Sequence, residues 1–259
     1  MAANLVFKNG YYQTKSRSFD VRLIQQGLLD FIEKGCAYKS QYLQKNYAYG
    51  FDGYSFMGQE DSTNQYATDL LHSFVISDFE KQERFPSEFN PFFKSDWQVL
   101  ESKIRVLELE IIENLGYPNL LAFYQEHIGH MISCNYYPPT QPLDSSSNDN
   151  NRLSEHTDVS LFTIFPFGFD SDFYFQNEKG EWVNIKPTDD IIVFPGYLLE
   201  CFTQGKWKAL NHKVSLPKNR RNERFSFAYF SLPYPKRKFK IGKKKYSSES
   251  YFEQYLNLF

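Results

Sequence analysis

The chain has 259 residues, enough to bury a substantial core in one large domain. Its 29 basic and 31 acidic residues leave a net charge of −2, which excludes a global pull toward nucleic acid or an anionic membrane. No apolar run approaches the roughly 20 residues that span a bilayer, and three widely spaced cysteines do not make a disulfide framework. Met1-Ala2-Ala3-Asn4 lacks the charged-then-apolar layout of a signal peptide, and the cysteine pattern makes a reducing cytoplasm the expected compartment. Phe and Tyr, 26 and 19 in number, suit strands and an apolar-walled pocket.

Residues 20–34 predict an amphipathic helix, because Val21, Ile24, Leu28 and Phe31 fall three and four apart and Gly35 supplies a stop. A longer helix is expected over 96–115. Trp97, Leu100, Ile104, Leu107 and Ile111 form its apolar stripe, Ser95 is the expected N-cap, and Gly116 ends it. A short helix is expected over 119–127. From there the texture changes. Segments 131–137, 160–166, 173–175, 182–185, 191–194, 210–214 and 225–230 are short, aromatic or β-branched, and separated by turn residues. The polar stretch 141–152 reads as an exposed loop. The expected fold is mainly β (α+β): a jelly roll with flanking helices. Residues 1–118 would form a helical N-terminal part and 119–259 the jelly-roll core with a C-terminal helix, as one compact unit without internal repeats.

The chemistry centres on His156-Thr157-Asp158. A lone His-x-Asp is a weak signal. Three further features strengthen it. His212 follows Asp158 by 54 residues, room for several strands that return to the same sheet end. Arg224 and Ser226 alternate with Phe225 and Phe227, so on a strand both polar side chains share a face. Asn135 and Tyr137, in Asn135-Tyr136-Tyr137-Pro138-Pro139, do the same on another strand. Two imidazoles and a carboxylate can occupy one face of an octahedral Fe(II), leaving the other for oxygen and an organic co-substrate. A cation with a hydroxyl two residues on would grip a carboxylate. The pattern points to a non-haem iron oxygenase.

These motifs, with Thr203-Gln204-Gly205 and Asn211-His212-Lys213-Val214, resemble the isopenicillin N synthase-like branch of the 2-oxoglutarate and Fe(II)-dependent oxygenases. Gly50-Phe51-Asp52-Gly53-Tyr54 and the stretch 85–116 extend the likeness upstream. The resemblance implies a double-stranded β-helix. It also implies Fe(II) on His156, Asp158 and His212, 2-oxoglutarate as co-substrate with its distal carboxylate on Arg224 and Ser226, and O2 as oxidant. Asn135 and Tyr137 match positions lining the co-substrate pocket. Succinate and CO2 would be released as a small organic substrate, such as an amino acid or specialised metabolite, is hydroxylated, desaturated or cyclised. Charge and hydropathy lead to no expected nucleic-acid or membrane partner, and the oligomeric state stays open with a monomer favoured.

The chain departs from this family in places. The stretch between Gly35 and Gly50 is short, Ser133 stands where plant relatives often carry arginine, and residues 219–222 lengthen the approach to Arg224. Asp158 keeps the acidic ligand whose loss marks halogenases. Two alternatives remain open: an isopenicillin N synthase-type oxidase that dispenses with 2-oxoglutarate, and a jelly-roll protein that holds metal without turnover. His72, His127 and His130 read as structural, and Cys134 as core. The seven cations within 236–245 read as a solvated surface run, and 248–259 as a helix packed on the jelly roll.

Overall fold

The computed structural model describes residues 7–15, 19–48, 51–57, 69–139, 151–168, 172–216 and 223–257. In chain order its strands are β1 (Tyr12–Thr14), β2 (Gly53–Ser55), β3 (His72–Ser77), β4 (Ile128–Tyr137), β5 (Asn151–His156), β6 (Phe162–Phe165) and β7 (Phe173–Gln176). Then come β8 (Trp182–Asn184), β9 (Ile191–Pro195), β10 (His212–Ser215), β11 (Arg224–Pro233), β12 (Lys238–Ile241) and β13 (Lys244–Ser247). The helices are α1 (Arg22–Ile32), α2 (Cys36–Lys39), α3 (Asn90–Ser95), α4 (Trp97–Leu115), α5 (Pro118–His127), α6 (Tyr197–Phe202) and α7 (Ser248–Leu256).

A seven-stranded sheet runs β1-β9-β6-β11-β4-β3-β2, and a four-stranded sheet runs β5-β10-β7-β8. Apolar side chains from both interleave between them: Phe165, Ile192, Phe194 and Ala228 from the larger, Phe173, Phe175 and Val214 from the smaller. Each such ring or branched side chain contributes roughly 1.5–3 kcal/mol by leaving water. This is the expected jelly roll.

Helices cover the outer face of the larger sheet. α1 buries Ile24, Leu28 and Phe31, and α4 buries the whole expected stripe from Trp97 to Ile111. Gly116 ends α4 in the left-handed region at φ 70°, where a side chain would be strained. Ser95 is not the cap of α4. It closes α3, its hydroxyl donating to the Pro91 carbonyl (2.9 Å), because Phe92 and Phe93 anchor a separate turn of helix first. Glu108 reaches from α4 into the sheet. It accepts from Tyr124 Oη at 2.6 Å and from the Ser231 hydroxyl, and its Oε2 lies 2.8 Å from His130 Nε2.

Several strands lie where none was expected. β1, β2 and β3 come from the front part of the chain and complete the larger sheet, so the boundary at 118 does not separate helices from strands. Asn151 and Arg152, read as the end of an exposed loop, open strand β5, and Arg152 is 1% exposed. Residues 141–150 and 219–222 lie outside the described residues. The basic run forms the hairpin β12–β13, its lysines outward and Phe239, Ile241 and Tyr246 buried.

Candidate metal centre

β5 and β10 pair antiparallel with His212 directly opposite His156, which brings the two rings to 4.4 Å between centroids. Asp158 sits two residues beyond the end of β5, where the chain leaves the sheet. Its Oδ1 lies 3.5 Å from His156 Nε2 and its Oδ2 3.8 Å from His212 Nε2. One ligand atom from each residue falls within 4.8 Å of the others.

The surroundings fix which ring nitrogen faces inward. His156 Nδ1 lies 2.8 Å from the Ser154 carbonyl and His212 Nδ1 3.0 Å from the Leu210 carbonyl. A carbonyl can only accept, so each Nδ1 carries the proton and each Nε2 offers its lone pair to the centre. Thr163 Oγ1 donates to Asp158 Oδ2 (2.6 Å) and lies 2.9 Å from Ser160 Oγ. Phe173 and Phe194 flank His212 at 5.3 and 5.0 Å. Burial opposes charge on Asp158, but the two imidazoles and Thr163 outweigh it and hold the carboxyl below its usual range. Burial pushes His212 down to about 4, with His156 adding to the effect. Two inward lone pairs and one ionised carboxylate on three corners are a donor set that fits Fe(II).

β4 and β11 run alongside. Their register sets Arg224 opposite Tyr137 and Ser226 opposite Asn135, so all four share the face toward the smaller sheet. Asn135, Tyr137, His156, Asp158, His212 and Ser226 line one cavity of about 50 Å³. Arg224 is not part of that lining; it is 4% exposed, with its guanidinium 4.8 Å from the Tyr137 ring centre. A surface groove of about 710 Å³ between Tyr11, Asn177 and Lys186 contains none of these residues.

Three features of the site escaped the sequence. Thr163 was an anonymous strand residue, although its five-residue spacing from Asp158 was visible. Arg152 was assigned to a loop, yet its guanidinium donates to the Pro138 carbonyl (3.4 Å) and lies 5.9 Å from the Tyr137 ring centre. Asp69 accepts from the Ser154 amide (3.1 Å), steadying the strand that carries His156. Nothing local marked either of the last two. In a second group of possible ligands, Asp78, Glu101 and His130, the two carboxylates already pair with the Arg105 guanidinium, which lies 3.3 Å from Asp78 and 2.9 Å from Glu101.

Residues 128–233, the strand core that carries the centre, match the family described as the 2OG-Fe(II) oxygenase superfamily. A comparison with curated proteins returns no match. Solved structures share the fold over nearly the whole chain. A full-length Neurospora crassa protein crystallised with alpha-KG is 18% identical, with a TM-score of 0.75, covering 99% of this chain and 90% of that one. A 2OG-Fe(II) oxygenase family protein from Caulobacter crescentus is 17% identical (TM-score 0.74, 99% and 92% covered). The rice dioxygenase for auxin oxidation is 15% identical (TM-score 0.71, 99% and 88% covered). The strand core of the chain thus matches the 2OG-Fe(II) oxygenase superfamily, oxidoreductases that use Fe(II), 2-oxoglutarate and O2, and the whole chain shares the fold of such oxygenases. The resemblance to the isopenicillin N synthase-like branch is consistent with that match. No helix among the described residues is long and apolar enough to cross a membrane.

Proposed function

We propose that His156, Asp158 and His212 hold Fe(II), and that Arg224 and Ser226 bind the distal carboxylate of 2-oxoglutarate with Asn135 and Tyr137 beside it. The observation that carries this reading is the cross-strand histidine pair, both Nδ1 atoms donated to backbone carbonyls and both Nε2 atoms turned to one ionised carboxylate. When bound, iron with 2-oxoglutarate and O2 supplies the oxidising power for C–H chemistry, with succinate and CO2 as co-products. The protein's part is to orient and to exclude water. The Tyr137 ring keeps Arg224 buried and desolvated, which strengthens its pull on an incoming carboxylate.

The substrate is a small organic molecule oxidised at carbon. A structure of the Neurospora crassa protein contains thymine and another contains 5-formyluracil, small molecules taken within the same fold. Residues 1–118 and 119–259 act as one unit, since β1–β3 complete the sheet on which the co-substrate residues lie. The test is 2-oxoglutarate consumption with stoichiometric succinate under air. Asp158→Ala should abolish iron-dependent turnover while unfolding stays cooperative; full activity in that variant overturns the assignment.

A further inference from the structure

The turn that carries Asp158 leaves the sheet at residue 157, so its carbonyls have no ladder partners. Three consecutive ones are satisfied from elsewhere. Thr157 O accepts from the Tyr255 hydroxyl, Asp158 O from the Tyr197 amide at 2.7 Å, and Val159 O from the Tyr251 hydroxyl. Tyr251 and Tyr255 both lie on α7, one turn apart, more than ninety residues along the chain. Tyr197 opens α6.

We propose that α7 and the start of α6 form a clamp on the metal-ligand turn, with Tyr255 and Tyr251 as positioning residues for His156 and Asp158. The proposal rests on the reading of those two residues as metal ligands. The clamp is tied together within itself. Gln254 Nε2 donates to Tyr197 Oη (2.8 Å), and the Tyr197 ring lies 6.1 Å from that of Tyr251 and 5.7 Å from that of Tyr255. Tyr251 is 0% and Tyr255 9% exposed. Burial, and for Tyr255 the Asp158 charge, push both phenols well above their ordinary range, so they remain donors at neutral pH. The capping box of Ser247 and Ser250 fixes where α7 begins and hence the height of both tyrosines. Two hydroxyls more than an apolar face requires, each meeting a carbonyl beside a ligand, separate a clamp from mere packing. Groups that orient metal ligands typically affect metal affinity by ~10–100-fold.

The test uses the full chain with Co(II) as the probe, titrated without 2-oxoglutarate and followed by its visible d–d absorption. Tyr255→Phe and Tyr251→Phe keep the rings and remove only the hydroxyls. Each should weaken Co(II) binding by ~10-fold and alter the band shape, the double variant more so. Tyr246→Phe, whose ring packs on Phe239 and Tyr251, should match the wild type in affinity and band. Should Tyr255→Phe fail to fold, Tyr251→Phe carries the test. Lower thermal stability with wild-type affinity and spectrum would overturn the clamp. Failure of the wild type to bind Co(II) would instead overturn the ligand assignment beneath it.

Discussion

Arg224 is set by its strand and by one ring. Its backbone pairs with Tyr137, and the same Tyr137 ring lies against the guanidinium. A charge-assisted hydrogen bond contributes about 1.5–3 kcal/mol. Arg224→Ala should therefore raise the 2-oxoglutarate requirement by roughly 10–150-fold while leaving metal affinity near the wild-type value. A 2-oxoglutarate titration of the iron-loaded protein reads both. Arg220→Ala, in the segment 219–222, should have little effect; the opposite order would mean that Arg220 is the anchor. Thr163 is the other residue to test. Its hydroxyl holds Asp158 Oδ2, so Thr163→Val keeps the shape, leaves that oxygen short of a partner, and should weaken metal binding by ~10-fold. Equal affinity in the variant would mean that the carboxylate is oriented by the turn alone.

At the scale of elements, the ligand turn depends on close backbone approach. A Cβ on Gly196 would lie 2.2 Å from the Ser160 carbonyl oxygen, and the next residue donates its amide to Asp158. Gly196→Ala should push α6 off the turn, lowering both thermal stability and metal affinity; calorimetry with and without Co(II) would show whether the two fall together. α4 is fastened differently, by one buried carboxylate. Burial works against charge on Glu108, but His130, Ser231 and Tyr124 outweigh it and keep it below its usual range. Glu108→Ala strips three buried groups of their acceptor and should cost about 3–5 kcal/mol in chemical denaturation.

What the sequence made legible at this scale follows from periodicity. α1, α4 and α5 carry 3.6-residue stripes, and the alternation around Asn135, Tyr137, Arg224 and Ser226 revealed their shared face. β3 (His72–Ser77) is buried at every position but the first, so it shows no alternation. β5 is polar at five of its six positions, so it shows no strand alternation and its first two residues read as loop. The period of two in Lys238-Phe239-Lys240-Ile241 was present, but the charge run obscured it. Thr163, Asp69 and Arg152 gain their roles only from tertiary contact, which no local pattern records.

Across the whole molecule, the front part is joined to the strand core by shared sheet edges and by a few buried polar groups. Asp52, 0% exposed, leads into β2 and accepts from the Ser77 hydroxyl of β3 (2.9 Å). Burial, with Glu80 and Asp78 adding their charge, raises its carboxyl from 3.8 to about 7. The folded state thus holds a proton that the unfolded chain releases, and stability falls as pH rises between those two values. Asp52→Asn removes the charge. Its melting temperature should exceed the wild type's at pH 8 by several degrees and approach it at pH 4. A difference independent of pH would contradict the buried, protonated carboxyl.

The central claim is an iron centre on His156, Asp158 and His212 that presents an open face to 2-oxoglutarate anchored at Arg224. Its most direct test is anaerobic loading with Fe(II), then a 2-oxoglutarate titration watched for the weak visible band of a keto acid chelated to iron. The band should saturate at about one equivalent and be lost in Asp158→Ala. Tight iron binding with no band at any 2-oxoglutarate concentration would contradict the account.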